Sequence, residues 1–579
     1  MKCRMQIALL VACVLATPSL SRAQSPPQKL PPEMTAQIDK VFEKWNRTDT
    51  PGCALGVYKD GAIAYEHGYG MANLNDDVTI TPETVFHVAS MSKQFTDASI
   101  VLLAQQGKLS LDDDIHKYLP ELADFGERIT IKNLIFHTSG LRDQWELLEL
   151  AGWRYSRDLI TDDDVMSVVT RQKHLNFKPG DKWMYSNTGY TLLALIVRRV
   201  SGMSLREFTT KNIFEPLGMT HTHFRDDHEE IIKHDALGYE QEDQDGKGGK
   251  DKPFRMSLTN FDTTGATSLH TTVEDLQLWD ENFYHPRVGG PALVSQMLEQ
   301  GKLNSGEQLD YAFGLVVGQY RGLKTVNHSG GDAGYRSNVT RFPDQHFSVS
   351  VLCNAAEADP WEMVLRVADV VLAKDMTTPD HAADAAAANN APPLNADQMN
   401  ALTGLYWDKD RDNFERILVK DGKLQLGDPN GDETAALQST GNGHFRLADR
   451  PWEESLDIHF IESATGTPRR FEQHAPRAKK AYTFEAVTPF EPTAAQLADY
   501  EGNYVSEEID PIYRVSIEDG KLTLKYVKHK SETLHPLVRD TFVGNIAKVR
   551  FTRDAKGHVS GLTLDTGRIQ NFNFTKKAS

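Results

Sequence analysis

Cysteine is scarce: the 579 residues hold four, and two of these, Cys3 and Cys13, stand close to the N-terminus. A cysteine-rich zinc site is excluded by that shortage. Cys53 and Cys353 permit one disulfide without requiring it. Long hydrophobic runs are missing too, since no stretch reaches the about 20 apolar residues a membrane-spanning helix needs. Positive charge is in deficit, 63 Lys and Arg against 81 Asp and Glu, for a formal net charge of -18. Nucleic-acid binding calls for the opposite balance, because basic side chains must replace the counterions around phosphate. No glycine-rich phosphate loop follows a strand pattern in the required way. What remains is ordinary for a folded chain, 40% apolar and 25% charged residues. At about 150 residues per domain, the length leaves room for three or four domains.

Residues 1–23 read as an export signal. Lys2 and Arg4 precede the apolar run Ile7 to Ala16, and Ser21-Arg22-Ala23 closes on a small residue, so cleavage is expected after Ala23 and the mature chain in a periplasmic or secreted setting. Leu10-Val11-Ala12-Cys13 offers lipid anchoring at Cys13 as the minor alternative, but the apolar run continues past that cysteine. Residues 30–375 have the pattern of one α/β unit. Strand-like runs (Cys53 to Tyr58, Ser348 to Leu352) flank a helical middle, and Lys59-Asp60-Gly61 marks a hairpin. Apolar residues at Leu192, Leu193, Leu195, Ile196 and Val200 predict helix between Tyr185 and Phe208, and the charged, glycine-rich stretch 240–253 predicts a mobile surface loop. Residues 376–395 are linker-like, with an alanine- and asparagine-rich core. Beyond them lies a direct repeat at a constant offset of 98 residues. It carries Gln398 onto Gln496, Gly404 and Tyr406 onto Gly502 and Tyr504, Arg416 onto Arg514, and Asp421-Gly422-Lys423-Leu424 onto Asp519-Gly520-Lys521-Leu522. Alternating apolar residues and Asp-Gly turns predict two small antiparallel β-barrels or sandwiches, 396–489 and 490–579.

Three motifs carry chemistry. Ser90-Met91-Ser92-Lys93 opens an apolar helix, which sets serine and lysine on one face. A lysine in a dry cleft loses proton affinity and can take the serine proton, while the helix start offers free N–H groups to an oxyanion. Tyr185-Ser186-Asn187 opens a second apolar helix. A tyrosine beside an ammonium is expected to have a lowered pKa and to serve as acid or base, and an asparagine amide can hold a substrate peptide group. Asn327-His328-Ser329-Gly330-Gly331 lies on a predicted strand whose glycines would let a substrate backbone approach, with the Gly331 N–H as an oxyanion donor beside that of Ser90.

In this order the motifs resemble those of the serine β-lactamase and penicillin-binding-protein superfamily, in its class C β-lactamase-like branch. Supporting phrases are Pro51 to Val57, His137-Thr138-Ser139-Gly140-Leu141, Pro216-Leu217-Gly218-Met219 and Gly265 to Leu269. The resemblance implies a penicillin-recognising α/β (α+β) domain, an antiparallel sheet flanked by helices with a helical subdomain. It implies Ser90 as nucleophile, Lys93 and Tyr185 as proton handlers, His328 in the third motif, and Asn187, Gly330 and Gly331 as substrate-binding residues, with no cofactor and no metal. His328 stands where lysine is usual. A neutral imidazole lacks the charge that would hold a penicillin carboxylate, so action on short peptides, amides or esters is expected rather than strong β-lactamase activity. The layout also resembles that of D-aminopeptidases, with two lipocalin-like barrels after the catalytic domain. A barrel loop is then expected to narrow the mouth in favour of short substrates with a free amino end. The acidic stretch Ser506 to Asp510 is a candidate ammonium site, with a solvated hairpin tip as the plainer expectation. A short-chain carboxylesterase and a low-turnover binding or sensor protein are the alternatives. The oligomeric state is left open. In the superfamily fold the first strand lies beside the last of the sheet, which implies Cys53 and Cys353 as neighbours, disulfide-bonded or as two buried thiols. His221, His223 and His228 beside Asp226 and Asp227 look like metal ligands, but they follow a family loop phrase that has no metal role. His137 is expected to order a loop.

Overall fold

The computed structural model describes residues 29–155, 157–242, 248–249, 252–377, 394–448, 456–461, 469–475 and 480–577. The export signal at 1–23 and most of the predicted linker lie outside these residues.

The catalytic unit is organised by a six-stranded antiparallel sheet. Its strands run in the order Val316–Tyr320, Leu323–Asp332, Tyr335–Phe342, Phe347–Cys353, Cys53–Lys59, Ala62–Tyr69. The early hairpin is thus paired with the late strands. It turns through Asp60 and Gly61, both in the left-handed region (φ 51° and 79°), as an Asp-Gly hairpin turn requires. Cys53 to Tyr58 is buried at every position rather than at alternate ones, because both faces of the sheet are covered. On one face, helices Pro32–Val41 and Pro360–Val371 pack Ile38, Val364 and Val367 against Leu55, Val57 and Val351. The other face meets the helical subdomain, where helix Lys93–Gln105 packs against Asn187–Ser201. The helix expected to continue to Phe208 ends at Ser201, where Gly202 adopts φ 75° as a left-handed cap, and Ser204 then caps a separate helix, Leu205–Thr209. The predicted loop at 240–253 begins and ends in a two-stranded sheet, Tyr239–Gln241 with Phe254–Met256. Cys53 and Cys353 face each other in register and form a disulfide.

The repeat folds twice into a closed eight-stranded antiparallel barrel, with strands running from Gly404–Asp408 to Tyr482–Val487 and from Gly502–Val505 to Phe572–Lys576. Each barrel is introduced by a short helix with a capping box, Asn395 with Gln398 and Thr493 with Gln496, and these pairs lie at the repeat offset. Tyr406 donates its hydroxyl to the Leu402 carbonyl and Tyr504 donates to that of Tyr500, so the repeated tyrosines tie helix to strand.

The second barrel docks on the catalytic unit and shares one continuous apolar core with it. Arg142 and Glu508 form an ion pair of 2.7 Å, with side chains 1% and 5% exposed. Glu507 pairs with Lys173, and Asp510 pairs with Arg171 at 2.8 Å. The acidic stretch is therefore divided: Glu508 is buried in the dock, whereas Glu507 and Asp510 pair across the contact from solvent-exposed positions, as on a solvated tip. The first barrel packs on the second through Leu405, Phe414 and Leu537.

Candidate active site

Ser90 begins in a 3₁₀ turn, Ala89–Ser92, that feeds helix Lys93–Gln105. In a 3₁₀ turn residues three apart eclipse one another, and Lys93 Nζ donates to Ser90 Oγ at 3.1 Å. The turn is entered through Ala89 at φ 48°, a left-handed conformation disfavoured for a residue with a side chain. Lys93 is fully buried and also donates to Asn187 Oδ1 (3.0 Å) and to the Ala266 carbonyl (2.6 Å). Burial draws its pKa from 10.5 down to about 7; the Asp143 carboxylate opposes that shift, and the Arg568 guanidinium adds to it. The three donations are those of the ammonium; with the pKa near 7 the free amine is within reach at neutral pH, and in that form the Nζ lone pair can accept the Ser90 hydroxyl proton along the same 3.1 Å contact.

Tyr185 lines the same cavity as Ser90 and places its ring centroid 4.9 Å from Lys93 Nζ. The lowered tyrosine pKa expected from the sequence is not what this environment produces. Burial raises it, and the contributions of Ser90 and Arg568 do not offset that. Tyr185 therefore rests protonated, suited to relay a proton rather than to act as the resting base. Asn187 bridges Lys93 and Asp143: its own N–H and its Nδ2 donate to Asp143 Oδ2 at 2.7 and 2.9 Å. Asp143 is also the N-cap of helix Gln144–Leu150. His137 accepts the Ser186 N–H at 3.1 Å and lies 4.2 Å from the Tyr185 ring, which orders the loop as expected.

On strand Leu323–Asp332, His328 Nδ1–H donates to the Ser329 carbonyl (2.7 Å) and Nε2 accepts the Tyr311 hydroxyl (3.1 Å). Burial first, then the nearby Lys93 charge, lowers its pKa to about 3, so the imidazole is neutral. Pairing with the neighbouring edge strand stops at Asn327, so from His328 onward that edge is open. A Cβ on Gly330 would lie 2.2 Å from the Val88 carbonyl oxygen, so glycine is what lets the strand approach the segment before the nucleophile. Ser90, Tyr185, His328, Gly330 and Gly331 all line one cavity of about 970 Å³, with Trp183, Tyr311 and Trp361 on its apolar walls. The structure thus gathers every residue the motifs named, with Lys93 bonded to Ser90 and Asn187 bonded to Lys93.

A family model described as Beta-lactamase matches residues 38–373. The chain belongs to the beta-lactamase family. A penicillin-binding protein of Bacillus subtilis (strain 168) is 32% identical over 322 residues, covering 54% of this chain and 70% of its own. The octameric penicillin-binding protein homologue from Pyrococcus abyssi superposes with a TM-score of 0.54 at 21% identity, over 86% of this chain and 99% of its own. The D-amino acid amidase from Ochrobactrum anthropi SV3, in complex with L-phenylalanine amide, gives 0.50 at 20%, over 59% and 99%. At those identities the two structures testify to the fold.

Within this beta-lactamase-family site, some participants carried no sequence signal. Asp143 follows the His-Thr-Ser-Gly-Leu phrase, where an acidic residue before a helix reads as an N-cap. Ala266 contributes only a carbonyl. Arg568 comes from the loop between strands Val559–Asp565 and Phe572–Lys576 of the second barrel, yet it lines the cavity beside Ser90. A barrel loop does reach the mouth, as expected, but it brings a cation rather than a carboxylate. The histidines set aside as metal candidates separate onto different partners. His223 lies 3.5 Å from Glu230 and His228 3.1 Å from Asp262. No described helix is long and apolar enough to cross a membrane.

Proposed function

We propose that this protein is an exported serine hydrolase that cleaves short peptides or amides containing D-amino acids or glycine, through an acyl-enzyme on Ser90. The observation that carries the reading is the 3.1 Å contact between Lys93 Nζ and Ser90 Oγ, with the lysine held near pKa 7. Free-amine Lys93 takes the serine proton as Ser90 Oγ attacks the carbonyl carbon. Backbone N–H groups at Ser90 and at the open strand edge near Gly331 receive the oxyanion. The proton passes from Lys93 through Tyr185 to the leaving nitrogen, the C–N bond breaks, and water releases the acyl group by the same relay in reverse. Export is supported by the leader pattern and by the Cys53–Cys353 disulfide, since such bonds persist in oxidising compartments.

The aromatic wall of Trp183, Tyr311 and Trp361 favours a second reading, a carboxylesterase for short acyl groups, which would use the same nucleophile. Turnover of D-alanine p-nitroanilide, L-alanine p-nitroanilide and p-nitrophenyl acetate, with Ser90→Ala as control, separates them. Hydrolysis of the D-anilide, lost in the variant, supports the amidase. Hydrolysis of the acetate alone moves the assignment to esterase.

A further inference from the structure

The charge inventory of the cavity is unusual. Among the described residues lining it there is no Asp and no Glu, and His328 is neutral, which leaves the Arg568 guanidinium as the permanent charge. Its loop is fixed in place. The Arg568 N–H donates to Glu146 Oε2 (2.7 Å), its carbonyl accepts from Asn176 Nδ2 (2.8 Å), and the Gln570 N–H donates to Asn176 Oδ1 (2.8 Å). Both backbone polar atoms of Arg568 are thus held by the catalytic unit, and the side chain is left to project. That side chain is 40% exposed; its guanidinium lies 5.0 Å from the Tyr185 ring centroid and 3.8 Å from Asp143 Oδ2. Asp143 is already engaged by Asn187 and by the Trp145 N–H, so it does not saturate the guanidinium donors.

We propose that Arg568, delivered in cis by the second barrel, is a specificity residue that anchors a substrate carboxylate close to the scissile carbonyl, as at the C-terminus of a short peptide. The proposal rests on the reading of Ser90 as nucleophile for its placement of the scissile bond, but the anchoring itself is independent of turnover. A guanidinium presents paired donors that fit a carboxylate, and such charge-assisted pairs are stronger than neutral ones. A free ammonium would meet no carboxylate on this wall, so the chemistry favours recognition of the carboxyl end over the amino end; a probe without a carboxylate, such as D-alanine p-nitroanilide, reports on Ser90 and not on this anchor. The barrel is then part of the active site, held there by the shared apolar core, the buried Arg142–Glu508 pair and the grip of Glu146 and Asn176 on the Arg568 backbone.

The test is calorimetric binding of N-acetylglycyl-D-alanine and its C-terminal carboxamide to full-length Ser90→Ala protein, which cannot turn either over through Ser90. The carboxylate should bind tighter by about ten- to a hundred-fold, the worth of a charge-assisted hydrogen bond. Adding Arg568→Ala should collapse that preference to within about threefold, and Arg568→Lys should keep part of it, because the charge survives and the fork does not. Equal affinity for the two ligands, no measurable binding of the carboxylate, or a preference that survives Arg568→Ala would overturn the proposal. Melting curves of both Arg568 variants identify any loss that comes from undocking of the barrel, and Arg568→Lys then decides. Failure of the hydrolase reading would show separately, as absence of Ser90-dependent turnover with Arg568 intact.

Discussion

Lys93 is fully buried beside the nucleophile, and its titration sets the pH behaviour of the site. Its charged form is disfavoured by burial, so the working free amine accumulates as pH rises through about 7. Accordingly kcat/KM should fall on the acid side with a midpoint near that value, read from a pH–rate profile. Removing a neighbouring positive charge makes the ammonium easier to hold, so Arg568→Ala should move that midpoint to higher pH. The same shift has a consequence for stability. The folded pKa lies below the ordinary 10.5, so the unfolded chain binds more protons between about 7 and 10.5. The penalty from Lys93 is present in full below pH 7 and fades as pH rises through that window. Lys93→Met should cost about a hundred- to ten-thousand-fold in kcat, the usual worth of a general base, with the folded state retained by circular dichroism.

At the scale of elements, the strand that carries His328 and the turn that carries Ser90 are set by their mutual approach. Gly330→Ala would place a methyl group against the Val88 carbonyl, where backbone must move, whereas a Cβ on Gly331 meets its first neighbour at 3.5 Å. Thermal melts should therefore show Gly330→Ala clearly destabilised and Gly331→Ala little changed. These elements were legible in sequence because their signals are local: Ser-x-x-Lys at a helix start, Asp-Gly at hairpin turns, and the offset that repeats Gln398 and Tyr406 at Gln496 and Tyr504. The end of helix Asn187–Ser201 was misread because the apolar spacing continues through Gly202, and only the left-handed backbone there divides it. The tyrosine pKa was misjudged for a different reason. The sequence shows that a lysine neighbours Tyr185, but not that burial outweighs it.

For the whole molecule, what eluded the sequence was juxtaposition between units. Glu508 looked like part of a solvated acidic turn because its partner, Arg142, lies hundreds of residues away on another unit. Arg568 lies in a hairpin that resembles any barrel loop until the barrel is docked. The disulfide links neighbouring strands that come from opposite ends of the catalytic unit's sequence, a separation of 300 residues. In the loop-entropy model its removal by Cys53→Ser and Cys353→Ser costs at most about 6 kcal/mol, measurable by urea unfolding of the double variant. The dock makes its own prediction. Glu508→Ala strands a buried guanidinium and should cost about 3–5 kcal/mol, whereas replacing both Arg142 and Glu508 by apolar residues should cost much less. A double-mutant cycle by denaturant unfolding reads the difference.

Whether Ser90 is the acylated nucleophile is read from the mass of the intact protein, quenched in acid during turnover of p-nitrophenyl acetate, followed by peptide mapping. One acyl group is expected on the peptide containing Ser90, absent in Ser90→Ala. Turnover with no adduct at Ser90, or an adduct that persists in the variant, would contradict it.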